Sequence, residues 1–208
     1  GSLTETEWSE HFGRFVPLPE NINAPLALRY HGHQFQSYNP NLGDGRGFLF
    51  AQLIDPIDGR LLDLGTKGSG QTPWSRAGDG RLTLKGAVRE VLATEMLEAL
   101  GVYTSKTLSV FETGERLERH DEPSPTRAAV LVRLSHSHIR FGSFQRPACN
   151  GEHALTERLI RSSVERYLPA LDAQSPIEDL TPAFLREVTL RSARLAASWM
   201  VAGFVHGV

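Results

Sequence analysis

The sequence predicts an α+β fold, and three observations carry that reading. Short apolar runs separated by turn residues fill the stretch from Gly47 to Lys67. One amphipathic helix spans Thr83 to Leu100. From Asn150 onward the apolar spacing becomes helical. The order of strands, helix, strands and then helices predicts a small sheet-containing lobe followed by the opening of a helical lobe.

The elements follow in chain order. Residues 1–45 are rich in Asn, Pro and Gly, show little periodicity and read mostly as extended loop. Gly47 to Ile54 (GFLFAQLI) reads as a strand. Pro56 and Asp58-Gly59 punctuate a turn, and Leu61 to Lys67 forms the second strand of a hairpin. In that strand Leu62, Leu64 and Thr66 share one face, with Asp63, Gly65 and Lys67 on the other. The helix from Thr83 carries Leu84, Ala87, Val88, Val91, Leu92, Met96 and Leu100 as its apolar stripe and stops at Gly101. Two further strands are expected, Thr107 to Glu112 and Ala128 to Leu134, joined by the polar stretch RLERHDEPSPT. Leu155, Leu159, Val164, Tyr167, Leu168 and Leu171 mark a helix, and Asp172 to Asp179 a linker. Thr181-Pro182 reads as an N-cap and first-turn proline opening a last helix to about Ala202.

Composition narrows the function classes. The 208 residues carry 22 basic and 24 acidic side chains, a net charge of −2, so nothing global argues for nucleic-acid binding. No window approaches the apolar length of a membrane span. The start, GSLTETEWSEHF, lacks the basic and apolar regions of a secretory signal. Cys149 is the one cysteine, which favours a reducing compartment and, for a bacterial protein, the cytoplasm. Only Lys67, Lys85 and Lys106 are lysines, while 19 basic residues are arginine. Genome base composition would explain that bias, and so would arginine's fit to phosphate and carboxylate.

Four segments could do chemistry. Gly43-Asp44-Gly45-Arg46 could turn tightly, present N–H groups to an anion and add a forked donor. It could equally be a simple turn before a strand. Lys67, at a strand end beside Gly68 and Gly70, could touch phosphate or lie exposed at a turn; its surroundings match neither a Walker A loop nor GxGxxG. Gly78-Asp79-Gly80-Arg81 repeats the first motif ahead of the Thr83 helix, where an anion would meet positive backbone ends. Arg133 and Arg140 bracket the run RLSHSHIR, and an arginine among Val130, Leu131, Val132 and Leu134 needs a partner if buried. Glu90 lies beside the helix stripe, placed either to pair with Lys67, as protein kinases pair their phosphate-binding lysine, or to face water. His31, His33, His136 and His138 could bind zinc only if the two pairs converged, and neither cluster holds a cysteine or acidic ligand.

Taken together the motifs resemble the selenoprotein O (YdiU) family. The matching segments are YHGHQFQ (30–36), LGDGRGFL (42–49), LGTKGSGQTPWSRAGDGR (64–81), AVREVLATEMLEALGV (87–102), LVRLSHSHIRFGSF (131–144) and WMVAGFVHGV (199–208). The resemblance implies a protein-kinase-like fold that binds ATP in an inverted pose and transfers AMP to Ser, Thr or Tyr hydroxyls of proteins. It implies nucleotide contacts at Gly43, Gly45, Arg46, Lys67, Asp79, Gly80, Arg133 and Arg140, with Glu90 pairing the lysine. It also implies three parts: an N-terminal segment over 1–45, a sheet-containing lobe over 46–134 and the start of a helical lobe over 135–208. The sequence departs from the family pattern at Gln36, where glycine is usual, and at Ala77, often methionine. The family's catalytic base and Mg²⁺ ligands follow the His-Gly-Val that stands here at 206–208, so no catalytic or metal-binding residue is expected in this stretch. The chain alone is expected to be inactive and to self-associate through uncovered helix faces. Two other readings stay open: a γ-phosphate transferase, against which the missing GxGxxG loop speaks, and a non-catalytic nucleotide- or metal-binding module.

Overall fold

In the computed structural model, which describes residues 3–204, the chain is α+β with antiparallel sheets and five α-helices. The main sheet holds β3 (Leu49–Ile54), β4 (Leu61–Lys67), β5 (Leu82–Thr83), β6 (Lys106–Leu117) and β7 (Thr126–Ser135). β7 is its centre. β6 runs along one side of it; β4 and then β5 share the other, and β3 pairs with β4 at the edge. The β3–β4 hairpin forms where the turn residues predict it, with Asp55 N–H bonded to the Arg60 carbonyl at 2.8 Å and Gly59 at φ +71.

Alternation along the strands sends two sets of side chains to opposite faces. On one face Leu64 and Val132 pack with Phe12, Phe50 and Ala51, closed over by Trp8, Phe15 and Leu18. The other face receives α2 (Leu84–Ala99): Ala87 seats on Leu82, Ala129 and Leu131. Asp63, Gly65 and Lys67 of β4 lie on this second face, level with Ser135, Arg133 and Leu131 of β7. The register therefore gathers the polar residues of both central strands beneath α2.

The stripe predicted for α2 splits. Ala87, Thr94 and Leu97 are buried, whereas Val88, Leu92, Met96 and Leu100 are exposed. The helix opens as predicted, with the Thr83 hydroxyl accepting from Gly86 N–H, and ends before Gly101 at φ +75.

Residues 1–45 hold more regular structure than their composition suggests. A short helix, α1 (Glu5–Trp8), continues into a π-helical turn over Ser9–Gly13. β1 (Arg29–Gln34) and β2 (Ser37–Gly43) form a separate two-stranded sheet. Their turn puts Phe35 and Gln36 at φ 50 and 66, a left-handed pair without the Asn or Gly that usually announces it.

The helical part also begins earlier than its periodicity indicates. α3 (Phe141–Cys149) contains Gly142 and Pro147, which hide it in the sequence. A Cβ at Gly142 would stand 2.0 Å from the His31 carbonyl oxygen, so glycine is what lets α3 seat against β1. α4 (His153–Tyr167) and α5 (Ile177–Val201) share a core of Ile160, Val164, Leu168 and Leu180. α5 starts at Ile177, capped by Pro176, rather than at Thr181-Pro182. Pro182 falls inside it, and the Thr181 hydroxyl bonds back to the Ile177 carbonyl at 2.8 Å. Val205 to Val208, the end of the last matching motif, lie outside the described residues. Among the described residues no helix is long and apolar enough to cross a membrane.

Candidate functional site

The polar residues gathered on the sheet open onto a cavity of about 430 Å³. It is lined by Gly45, Arg46 and Gly47 from the β2–β3 connection, Gly65, Thr66 and Lys67 from β4, Arg133 and Ser135 from β7, and His138 and Arg140 from the segment after β7. Tyr30 and Asp44 close one end.

Glu90 is the hub. One of its carboxylate oxygens pairs with Lys67 Nζ and the other with an Arg133 terminal nitrogen. One carboxylate thus serves two cations. Burial pushes the Lys67 ammonium below its ordinary range; Glu90 opposes that fall, and nearby Arg46 and Arg133 add to it. Arg133 Nε is enclosed and has no hydrogen-bond partner. Arg46 is exposed and has no carboxylate partner among the described residues. Lys67 and Arg133 share one negative charge and Arg46 has none, so positive charge is in surplus here.

The β2–β3 connection is built by close packing rather than by left-handed backbone. A Cβ at Gly43 would meet the Trp74 ring at 2.3 Å, and one at Gly47 would stand 2.0 Å from the Thr66 carbonyl oxygen. The Thr72 hydroxyl donates to the Asp44 carbonyl at 2.6 Å, and the Ser75 hydroxyl to the Gly45 carbonyl. The N–H groups of Gly45, Arg46 and Gly47 meet no protein acceptor among the described residues. Arg140 is held at the rim by Asp44 at 2.9 Å and by the Tyr30 ring, whose centroid lies 5.0 Å from its guanidinium carbon.

The structure brings Gly45, Arg46, Lys67, Arg133 and Arg140 to one cavity, with Glu90 beneath. Gly43 lies one step back, under Trp74. Asp79 and Gly80 do not line the cavity. Asp79 is ion-paired with Arg119 at 2.8 Å, and Gly80, at φ +71, packs against the backbone of Gly70 and Gln71. Through Gly70 they adjoin the loop that follows Lys67.

The histidine pairs do not converge. His31 Nδ1 bonds the Tyr38 hydroxyl, His33 contacts Gln145, His136 meets the Thr104 carbonyl, and His138 bonds Asp63. Among the described residues no group of three or more His, Cys, Asp or Glu could hold a metal ion. Asp63, Trp74 and Tyr30 shape the site without having been singled out in the sequence. Asp63 alone left a trace, as a lone carboxylate in an apolar strand.

The family model for "Protein adenylyltransferase SelO" matches residues 1–208. The chain belongs to the SelO family. Relatives named "Protein nucleotidyltransferase YdiU" agree with this. The chain is 53% identical to that of Synechocystis sp. over 99% of its own length and 42% of the relative's. For Gloeobacter violaceus the figures are 54%, 100% and 41%. For Pseudoalteromonas translucida they are 43%, 89% and 38%. This SelO-family chain therefore spans about two-fifths of the length of the curated relatives it matches.

Proposed function

We propose that this chain forms the nucleotide-phosphate grip of a protein adenylyltransferase with a protein-kinase-like fold. The observation that carries the reading is Glu90 shared between Lys67 and Arg133 at a cavity where Arg46 and Arg140 also converge. A polyphosphate would supply the missing negative charge and acceptors for Arg133 Nε and the N–H groups of Gly45 to Gly47. Gly43, Asp79 and Gly80 would complete the grip from the flanking loops. Residues 46–134 would act as the sheet-containing lobe and 135–208 as the start of the helical one.

In the reaction proposed for the longer protein, a Ser, Thr or Tyr hydroxyl oxygen of a protein substrate attacks the α-phosphorus of ATP. The bond from that phosphorus to the bridging oxygen breaks, pyrophosphate leaves with the electron pair, and the hydroxyl proton passes to a base. This chain's residues would hold the phosphates and stabilise the charge that develops on them. Asp44, Asp63 and Glu90 are already engaged by Arg140, His138 and the Lys67–Arg133 pair. These residues do not fit a Mg²⁺ ion, which takes oxygens in near-octahedral geometry. Metal ligands and the base would come from elsewhere in the longer protein, so the 208-residue chain is expected to transfer little or no AMP.

Titration calorimetry with ATP tests the grip. Lys67→Ala and Arg140→Ala are expected to weaken binding by about tenfold or more. A wild-type protein without affinity at millimolar ATP would contradict it. Mass spectrometry of a protein substrate treated with the full-length enzyme separates the chemistries, because an AMP adduct supports this reading and a bare phosphate supports γ-phosphate transfer.

A further inference from the structure

We propose that His138 is an additional phosphate-contacting residue of this cavity, an imidazole locked by Asp63 that gains a proton when a polyphosphate binds. The inference rests on the nucleotide reading above and deepens it.

Asp63 is 3% exposed, and its carboxylate is fully committed. One oxygen accepts from Gln52 Nε2 at 2.8 Å; the other accepts from the His138 backbone N–H at 2.8 Å and from ring Nδ1 at 3.0 Å. Burial alone would push this carboxyl up, but the hydrogen bonds from His138 and Gln52 hold it below its ordinary value. An ionised carboxylate can only accept, so Nδ1 carries the ring proton. In the neutral ring Nε2 then holds a lone pair.

That nitrogen has no protein partner among the described residues and is not fully enclosed, and its residue lines the cavity. The ring lies over Gly65, where a Cβ would stand 2.4 Å from Nε2. Gly65 is the register partner of Arg133 and lies two residues from Lys67. The imidazole is thereby set among the groups assigned to phosphate.

The charges around it decide when it protonates. From β4 come Asp63 and Lys67, from β7 Arg133, and from α2 Glu90. The β2–β3 connection supplies Asp44 and Arg46, β1 supplies Tyr30, and the histidine's own segment supplies His136 and Arg140. Without ligand the cations oppose a further positive charge, while Asp63 supports one. A bound polyphosphate neutralises the cations and offers Nε2 an oxygen to which an imidazolium can donate.

The test is ATP titration calorimetry on the full-length protein, in paired buffers of different ionisation enthalpy, at a pH where free ATP has lost its last phosphate proton. Wild type is expected to take up a fraction of a proton per ATP, and inorganic tripolyphosphate to reproduce that uptake while adenosine does not. His138→Asn keeps a donor at the Nδ1 position for Asp63 and removes the cavity-facing nitrogen. It is expected to abolish the uptake and weaken ATP binding about tenfold. Wild type that binds ATP without proton uptake overturns the proposal, with no variant needed. So does a His138→Asn protein that binds and takes up protons as wild type does, or uptake with adenosine alone. Wild type that binds no ATP overturns the nucleotide reading itself, and this inference with it.

Discussion

At the residue scale the site depends on carboxylates that each serve more than one partner. Removing Glu90 leaves two partly buried cations facing each other. Glu90→Ala is expected to cost about 1–2 kcal/mol, read from the denaturant midpoint, and to lower ATP affinity as Lys67 and Arg133 lose their anchor. Asp63 carries a pH signature. Its folded-state pKa lies below the ordinary value, so its contribution is fully present at neutral pH and is lost as pH falls from about 4. Asp63→Asn should flatten the acid limb of the stability curve; an unchanged limb would show that the carboxylate does not stabilise the fold. The Lys67–Glu90 pairing was readable in the sequence because both residues carried charge beside apolar stripes. The sharing of Glu90 with Arg133 was not, nor was the bond from Asp63 to His138 across 75 positions. Such contacts depend on strand register, which local pattern does not encode.

At the element scale the hairpin from Leu49 to Lys67 and the helix from Thr83 were legible, because turn residues and a helix cap announce them. The β1–β2 hairpin was not, because Phe35 and Gln36 occupy left-handed backbone without a turn signature. Gln36→Gly should remove that strain and raise stability by up to about 1 kcal/mol, read as a higher melting temperature. No rise would mean that the turn relaxes without cost. α3 was hidden by Gly142 and Pro147, and the start of α5 was misplaced because Thr181-Pro182 imitates a helix opening. The glycines of the β2–β3 connection were legible as special, yet for a different reason. They admit Trp74 and the β4 backbone. Gly47→Ala should destabilise the fold by about 2 kcal/mol or more through a backbone clash, measured by denaturant unfolding.

At the scale of the whole molecule, the sheet and the helices enclose a second, mostly apolar cavity of about 1040 Å³, lined in part by Phe141, Phe144, Phe184, Leu185 and Val188. Met200 is 82% exposed and Val201 89%, while Leu92 on α2 is 65% exposed. Exposed apolar surface of this kind favours association. The 208-residue chain by itself is therefore expected to self-associate or to melt at low temperature. Light scattering and thermal unfolding check this, and a clean, thermally robust monomer would count against it. The α+β class was legible from the order of the elements. The sheet order was not, because β7, the last strand in sequence, takes the centre.

The account stands on one arrangement: backbone N–H groups of Gly45 to Gly47 and the cations Arg46, Lys67, Arg133 and Arg140 closing around a polyphosphate. A crystal structure of the protein with ATP tests this most directly. Phosphate oxygens within about 3 Å of Lys67 and both strand-end arginines are the expected result. ATP bound elsewhere, with this cavity empty of phosphate, would contradict it.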